Sequence, residues 1–101
     1  MDGLPHRWKD VPLTPGAFVV NIGGALQRWT NDALTATSHR VRMVESERIS
    51  IPFFVEGAYD SPMDCVPATV SATNPCRYPP TTYGPYIKST FSMFQEYNDR
   101  F

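Results

Sequence analysis

The sequence lacks the features that would most quickly assign it to a functional class. It has no block of like charge, because nine Lys and Arg residues are interspersed with ten Asp and Glu residues for a net charge of −1. Such a surface favours neither nucleic acid nor an anionic membrane as a partner. No run reaches the ~18 apolar residues of a membrane span, and residues 1–10 are too polar for a signal peptide. We therefore predict a cytoplasmic protein with no nucleic-acid partner and no membrane partner.

Cysteine is scarce and proline is abundant. Cys65 and Cys76 allow one disulfide by their count, but a cytoplasmic protein normally keeps its thiols reduced, and this is the state that we predict. A single pair of cysteines is also a weak signal for a structural zinc site. Ten prolines in 101 residues interrupt the chain and argue against long helices through most of it. At this length the chain forms one domain at most.

Three segments have the composition of β-strands. Residues 17–22 form an apolar run that is rich in β-forming residues and ends at a pair of glycines. In residues 37–44 and 48–55, successive side chains would point to opposite faces of a strand. Between the first two segments, residues 25–29 fit either one helical turn or the start of a strand, and residues 30–32 have turn chemistry. High aromatic content, at 13%, also favours a packed β-rich domain.

The second half of the chain has a different character. Residues 61–85 are rich in proline and predict an extended segment that crosses the surface. Residues 86–101 predict an amphipathic C-terminal helix, for which Thr82 is a plausible N-cap. The apolar residues of this helix recur at helical spacing, namely Ile87, Phe91, Phe94, Tyr97 and Phe101.

Polar side chains on the second and third predicted strands are the candidate functional residues. His39 begins the second strand, and Arg48 and Ser50 share one face of the third. Ile49, Ile51 and Phe53 occupy the opposite face. If that apolar face packs against other elements, Arg48 and Ser50 line an interior rather than face water.

The order of short motifs resembles that of the iron(II)/2-oxoglutarate oxygenases, in their isopenicillin N synthase-like branch. The chain reads PGAFVVNIGG at residues 15–24, WTN at 29–31, HRV at 39–41, RIS at 48–50 and YPPTTYG at 78–84. Each motif is common by itself, and only their joint order and spacing carry the resemblance. Ser38 beside the histidine is not a hydrolase dyad, since neighbouring strand residues point to opposite faces.

The resemblance implies a mainly β fold. Residues 1–60 would form the C-terminal half of a double-stranded β-helix, the jelly-roll core of these enzymes. Residues 61–85 would be the Pro-rich extended segment, and residues 86–101 would be the closing C-terminal α-helix. The implied activity is a dioxygenase reaction, in which oxidative decarboxylation of 2-oxoglutarate drives hydroxylation, desaturation or ring closure of a small molecule.

The resemblance also assigns roles to three residues. His39 would be a ligand of Fe(II), which such enzymes hold with two histidines and one carboxylate. Arg48 and Ser50 would bind the far carboxylate of the cosubstrate 2-oxoglutarate, because a guanidinium fork matches a carboxylate and the serine adds a hydroxyl donor from the same strand face. No residue of this chain is predicted to act as a catalytic acid, base or nucleophile.

One departure from the family pattern is decisive for these expectations. The family takes its first histidine and its aspartate from a His-x-Asp motif, and this sequence contains none. We expect the motif in an N-terminal half of the same protein, upstream of Met1, which would be the partner of this chain. Two alternatives remain open. The chain is a non-catalytic truncated or degenerate homologue that acts at most as a structural or interaction module, or a second chain supplies the motif.

Overall fold

The computed structural model describes residues 7–93, and little of this range forms regular secondary structure. Helix α1 spans Gly24–Trp29, a 3-10 helix spans Pro67–Thr69, and helix α2 spans Tyr83–Phe91. One isolated antiparallel bridge joins Pro62 to Thr82. No helix within residues 7–93 has the length and apolar character that a membrane crossing requires.

Helix α1 settles the choice that the sequence left open for residues 25–29, because they adopt helical turns rather than a strand. The Gln27 N–H donates to the carbonyl of Gly23 at 3.1 Å, which closes the first turn. The helix ends where Asn31 and Asp32 adopt left-handed backbone conformations, with φ of 51° and 67°. Asn and Asp tolerate this conformation better than other residues with a side chain. The predicted turn at residues 30–32 is thus confirmed.

Helix α2 begins directly after Thr82, the residue predicted as its N-cap. Thr82 has the extended backbone of an N-cap, although its side chain makes no capping hydrogen bond. The first helical residue is therefore Tyr83, three residues before the predicted start at residue 86. Pro85 fits the first turn, where its missing N–H would have no helical acceptor. Three members of the predicted apolar stripe lie outside the described residues: Phe94, Tyr97 and Phe101.

The three segments predicted as strands form no β-ladder within residues 7–93. The Thr37 N–H donates to the Ile22 carbonyl at 2.9 Å, a backbone bond that joins the first two segments. Most of their apolar side chains are exposed, as at Phe18 (96%) and Ile51 (87%). A strand is defined by the neighbour with which it pairs, and its apolar face needs a second layer to cover it. The jelly-roll architecture therefore stays a prediction.

The buried centre of the described chain lies around the start of α2. Met63 and Tyr83 are the buried hydrophobic residues among residues 7–93, at 1% and 5% exposure. Residues 61–63 lie beside residues 81–83. The Met63 N–H donates to the Thr81 carbonyl and the Tyr83 N–H to the Ser61 carbonyl, both at 2.9 Å. The Trp29 ring stacks on Tyr83 with ring centroids 6.2 Å apart. The Pro-rich segment thus does more than cross the surface, because it supplies Met63 and Tyr83 to the core.

A disulfide joins Cys65 to Cys76, so the expectation of two reduced thiols is wrong for this structure. The chain turns back through the 3-10 helix and a turn in which Ser71 N and Asn74 O lie 3.0 Å apart. This return brings the two cysteine Cα atoms to 5.9 Å, within the range that a disulfide spans. Nothing in the sequence alone indicates that return.

Reduction of this disulfide is expected to loosen the loop and the turn that it supports. A loop of this size gives about 3 kcal/mol of stabilisation in the chain-entropy account, so hydrogen exchange at the Asn31 and Val66 amides should accelerate by up to about 100-fold. The measurement is peptide-level exchange by mass spectrometry with and without dithiothreitol. The Cys65→Ser/Cys76→Ser variant should match the reduced protein and should not respond to the reductant. Equal exchange in the oxidised and reduced protein would refute the expectation.

Candidate functional site

His39 presents one ring nitrogen that is free to bind a metal. The side chain is exposed, and its Nδ1 lies 2.9 Å from the carbonyl oxygen of Thr37. A carbonyl only accepts, so this hydrogen bond requires the proton to be on Nδ1. In the neutral ring, Nε2 then carries the lone pair. Metal-binding histidines commonly use this arrangement, in which the second ring nitrogen donates to a backbone carbonyl.

Arg48 and Ser50 are also exposed, on the segment that follows. Arg48 lines a shallow surface concavity with Glu47 and Ile49. Within residues 7–93, neither its guanidinium nor the Ser50 hydroxyl has a hydrogen-bond or ion-pair partner, and no hydrogen bond joins these groups to His39. The N–H donors of Arg48 are thus available to a carboxylate from outside.

The residues described here do not by themselves fit an iron centre. The family's iron site needs three protein ligands, and residues 7–93 contain no group of three His, Cys, Asp or Glu side chains that could hold a metal ion. His39 supplies one nitrogen of the right kind.

Asn31 is a structural centre that the sequence does not single out. It is only 3% exposed. Its Nδ2 donates to the carbonyls of Thr69 and Pro75 at 3.3 and 3.1 Å, and its Oδ1 accepts the Arg77 N–H at 2.9 Å. The side chain therefore ties the end of α1 to the disulfide loop. The WTN motif at residues 29–31 indicates a turn here but not these distant partners.

Asp32 gathers three donors around its carboxylate. The Tyr78 hydroxyl, the Gln27 amide and the Arg77 guanidinium all donate to it. The hydrogen bond from Tyr78 is the main cause that lowers the pKa of Asp32, with smaller contributions from Gln27 and Arg77. The same bond to the carboxylate raises the pKa of Tyr78. The turn after α1 thus carries an ionised carboxylate at neutral pH.

Arg28 links α1 to the segments around α2. Its Nη2 donates to the carbonyl of Pro79 at 2.5 Å. Its guanidinium carbon lies 5.0 Å from the ring centroid of Tyr78 and 5.6 Å from that of Tyr86, in cation–π range of both. Helix α1, which precedes the turn toward His39, is therefore held against the segments around α2 by these Arg28 contacts.

Comparison with known protein families shows which family this chain belongs to. The family model described as "2OG-Fe(II) oxygenase superfamily" matches residues 2–57. The chain belongs to this superfamily. Its relatives include isopenicillin N synthases, which confirms the isopenicillin N synthase-like branch predicted from the motifs.

Individual relatives of this 2OG-Fe(II) oxygenase chain come from plants, bacteria and fungi. Kihadalactone A synthase LFS of Citrus sinensis is 37% identical over 86% of this chain and 26% of its own length. Isopenicillin N synthase of Streptomyces clavuligerus is 35% identical over 80% of this chain and 24% of its own length. The 2-oxoglutarate-Fe(II) type oxidoreductase hxnY of Emericella nidulans is 35% identical over 92% of this chain and 27% of its own length.

The chain spans about a quarter of the length of these oxygenases. His39, Arg48 and Ser50 all fall within the stretch that the superfamily model matches. The disulfide loop and α2 lie beyond that stretch. No solved structure matches the chain.

Proposed function

We propose that this chain is the C-terminal part of an Fe(II)- and 2-oxoglutarate-dependent dioxygenase that oxidises a small molecule. The observation that carries the proposal is the superfamily match over residues 2–57, which contains all three candidate site residues. The alignments cover about a quarter of each relative, which supports a part rather than a whole enzyme. The reaction is a hydroxylation, a desaturation or a ring closure.

In this proposal each of the three residues has one task. His39 binds iron through Nε2, while its Nδ1–H bond to Thr37 fixes the ring. Arg48 and Ser50 bind the far carboxylate of 2-oxoglutarate, and the unpaired guanidinium of Arg48 fits that task. The bound iron and 2-oxoglutarate supply the oxidising chemistry. The remaining two ligands come from a His-x-Asp motif in the N-terminal part of the same protein.

The proposal includes the jelly-roll fold and a cytoplasmic location, where the Cys65–Cys76 disulfide would be open to reduction. Residues 17–22, 37–44 and 48–55 become strands when the N-terminal part provides neighbours for them. A strand edge gains its hydrogen bonds only from such a neighbour. The exposed apolar side chains of these segments support the proposed strands, because a sheet that packs against a second layer carries such side chains on its buried face.

A second candidate function has an observation of its own. The sequence has no His-x-Asp motif, and residues 7–93 contain no three-ligand group. These facts favour a non-catalytic homologue that acts at most as a structural or interaction module. Sequencing the 5′ end of the native transcript separates the two candidates. An in-frame upstream His-x-Asp supports the oxygenase, and a natural product that starts at Met1 refutes it for this chain.

In the complete oxygenase, meaning the protein that carries the upstream His-x-Asp motif, we expect Arg48→Ala to raise the requirement for 2-oxoglutarate. A hydrogen bond to a charged group is worth roughly 1.5–3 kcal/mol, which corresponds to an increase in KM for 2-oxoglutarate of about 10- to 100-fold. The measurement is succinate formation against 2-oxoglutarate concentration. Arg42→Ala is the matched control, because Arg42 forms an ion pair with Asp10 at the surface. The Arg42 side chain is 72% exposed and that of Asp10 is 78% exposed. Equal KM values for the two variants would contradict the assignment.

A further inference from the structure

The Cys65–Cys76 disulfide lies where the two arms of its loop contact the end of α1. Next to Cys65, the Val66 N–H donates to the carbonyl of the last residue of α1 at 2.7 Å. Next to Cys76, the Arg77 N–H donates to Oδ1 of Asn31 at 2.9 Å. The disulfide therefore joins the two arms at the point where both are bound to α1 and the turn after it.

The Asn31 side chain binds both arms of this loop at once. In the first arm, its Nδ2 donates to the Thr69 carbonyl at 3.3 Å. In the second arm, its Nδ2 donates to the Pro75 carbonyl at 3.1 Å, and its Oδ1 accepts the Arg77 N–H. These bonds form together only while the two arms lie side by side, and the disulfide enforces that arrangement.

The core beside the loop is held by bonds of its own. The Met63 N–H donates to the Thr81 carbonyl, and the Tyr83 N–H donates to the Ser61 carbonyl. Both pairs lie outside residues 65–76, so the base of the loop stays closed when the disulfide opens. The contacts of the loop with Asn31 also lie outside the three segments that are predicted to become strands.

The two cysteines differ in their exposure to solvent. Cys76 is exposed, whereas Cys65 is half-buried and its Sγ lies 3.9 Å from the Arg28 carbonyl oxygen. Disulfide exchange depends on access of a thiolate to the sulfur that it attacks, which favours Cys76. Once Cys65 is released as a thiol, the Arg28 carbonyl can accept its S–H. Disulfides of cytoplasmic proteins are usually transient and either catalytic or redox-sensing.

We propose that this disulfide is a reversible redox site, which a dithiol reductant opens at Cys76 and whose state controls the contact between Asn31 and the loop. The first thiolate of the reductant bonds to Cys76 and expels Cys65, which takes up a proton. The second thiol of the reductant then displaces Cys76. Two electrons and two protons pass to the cysteines, and the reductant becomes a disulfide. This inference does not depend on the proposed function.

Control of the Asn31 contacts by the disulfide requires control of the disulfide by those contacts. Coupling between two equilibria is reciprocal, so each stabilises the other by the same factor. Asn31 has hydrogen bonds to Pro75 and Arg77 in the second arm. Each net hydrogen bond changes an equilibrium constant about fivefold, so loss of both should lower the constant for disulfide formation about 25-fold.

The first experiment measures that constant in the 101-residue chain. The chain is equilibrated with mixtures of reduced and oxidised dithiothreitol, and its free thiols are alkylated and counted by mass spectrometry. Asn31→Ala should shift the equilibrium about 25-fold toward the thiols. Asn31→Gly should shift it by a similar factor, because glycine permits the positive φ of residue 31 and only the hydrogen bonds are lost. Asn21→Ala is the control at an exposed asparagine and should stay within about twofold of the wild type.

The second experiment identifies the sulfur that is attacked. A thioredoxin whose second cysteine is replaced by serine cannot complete the exchange, so acid quenching traps its mixed disulfide with the chain. Peptide mapping should place that bond on Cys76. A bond on Cys65, or no mixed disulfide, would overturn the assignment of the attacked sulfur.

The outcomes of the equilibrium experiment decide the coupling. A shift toward the thiols in both Asn31 variants supports the proposal, and no shift in either variant overturns it. A shift in Asn31→Ala alone would trace to backbone strain and would also overturn it. The near-ultraviolet circular dichroism of the stacked Trp29 and Tyr83 rings should persist after reduction. Its loss would show that reduction unfolds the core, which contradicts a local redox site.

Discussion

In the complete oxygenase, the His39→Ala variant is expected to form no succinate above background. The reason is that alanine removes one of three protein ligands from the metal. Even the loss of an outer partner costs 10- to 100-fold in affinity or activity, so the loss of a ligand itself should cost at least about 100-fold. The measurement pairs Mn(II) binding with succinate formation, both at saturating 2-oxoglutarate.

The control for this variant is Arg42→Ala. Arg42 lies on the face opposite His39 in the predicted strand, and it forms an exposed ion pair with Asp10. This variant should keep both metal binding and turnover near wild-type levels. If His39→Ala retained its activity, the assignment of His39 as the iron ligand would be wrong.

Asn31→Ala is expected to release the turn after α1 from the disulfide loop. It removes three hydrogen bonds of a buried side chain, each worth about 1 kcal/mol net. It also places alanine at a φ of 51°, a left-handed conformation that costs about 1 kcal/mol or more without an Asn side chain. Together these terms lower the free energy of local opening by about 3 kcal/mol or more, and exchange at the Asp32 and Val66 amides should accelerate at least about 100-fold.

Two further variants resolve the causes of that effect. Asn31→Gly keeps the backbone freedom and loses the hydrogen bonds, so it should recover only the conformational part. Asn21→Ala is the control, because Asn21 is exposed and lies within the first predicted strand segment, away from the turn after α1. Exchange in that variant should match the wild type. A result in which Asn31→Ala behaves like Asn21→Ala would show that the buried amide does not hold the turn.

Local features of the chain could be predicted from sequence, because they depend on neighbouring residues. The turn at residues 30–32 follows from the tolerance of Asn and Asp for left-handed backbone. The start of α2 follows from Thr82, although the helix begins at Tyr83 rather than at residue 86. The family assignment from the order of the motifs was confirmed, whereas His39 as an iron ligand, named from the HRV motif, stays a prediction.

Features that depend on distant residues could not be predicted. Asn31 meets Thr69 and Pro75 across 38 and 44 positions of the chain, and no pattern in the sequence marks such a pair. The disulfide forms because the chain reverses direction between Cys65 and Cys76. Short sequence motifs do not specify that reversal. The strand segments show the reverse case, since their pattern is clear but pairing needs neighbours that residues 7–93 do not supply.

The small buried centre around Met63 and Tyr83 has a thermodynamic consequence. The heat capacity of unfolding grows with the apolar area that becomes exposed, and so does the denaturant m-value. In residues 7–93 most large apolar side chains are exposed to water, as at Leu13 (94%), Ile49 (88%) and Phe53 (89%). A chain of this kind unfolds with a small heat-capacity change and a shallow denaturant response. If a partner covered these faces, both the heat-capacity change of unfolding and the m-value would increase. The difference in heat-capacity change between the isolated and the covered chain, measured by calorimetry, would therefore report the apolar area that the partner buries.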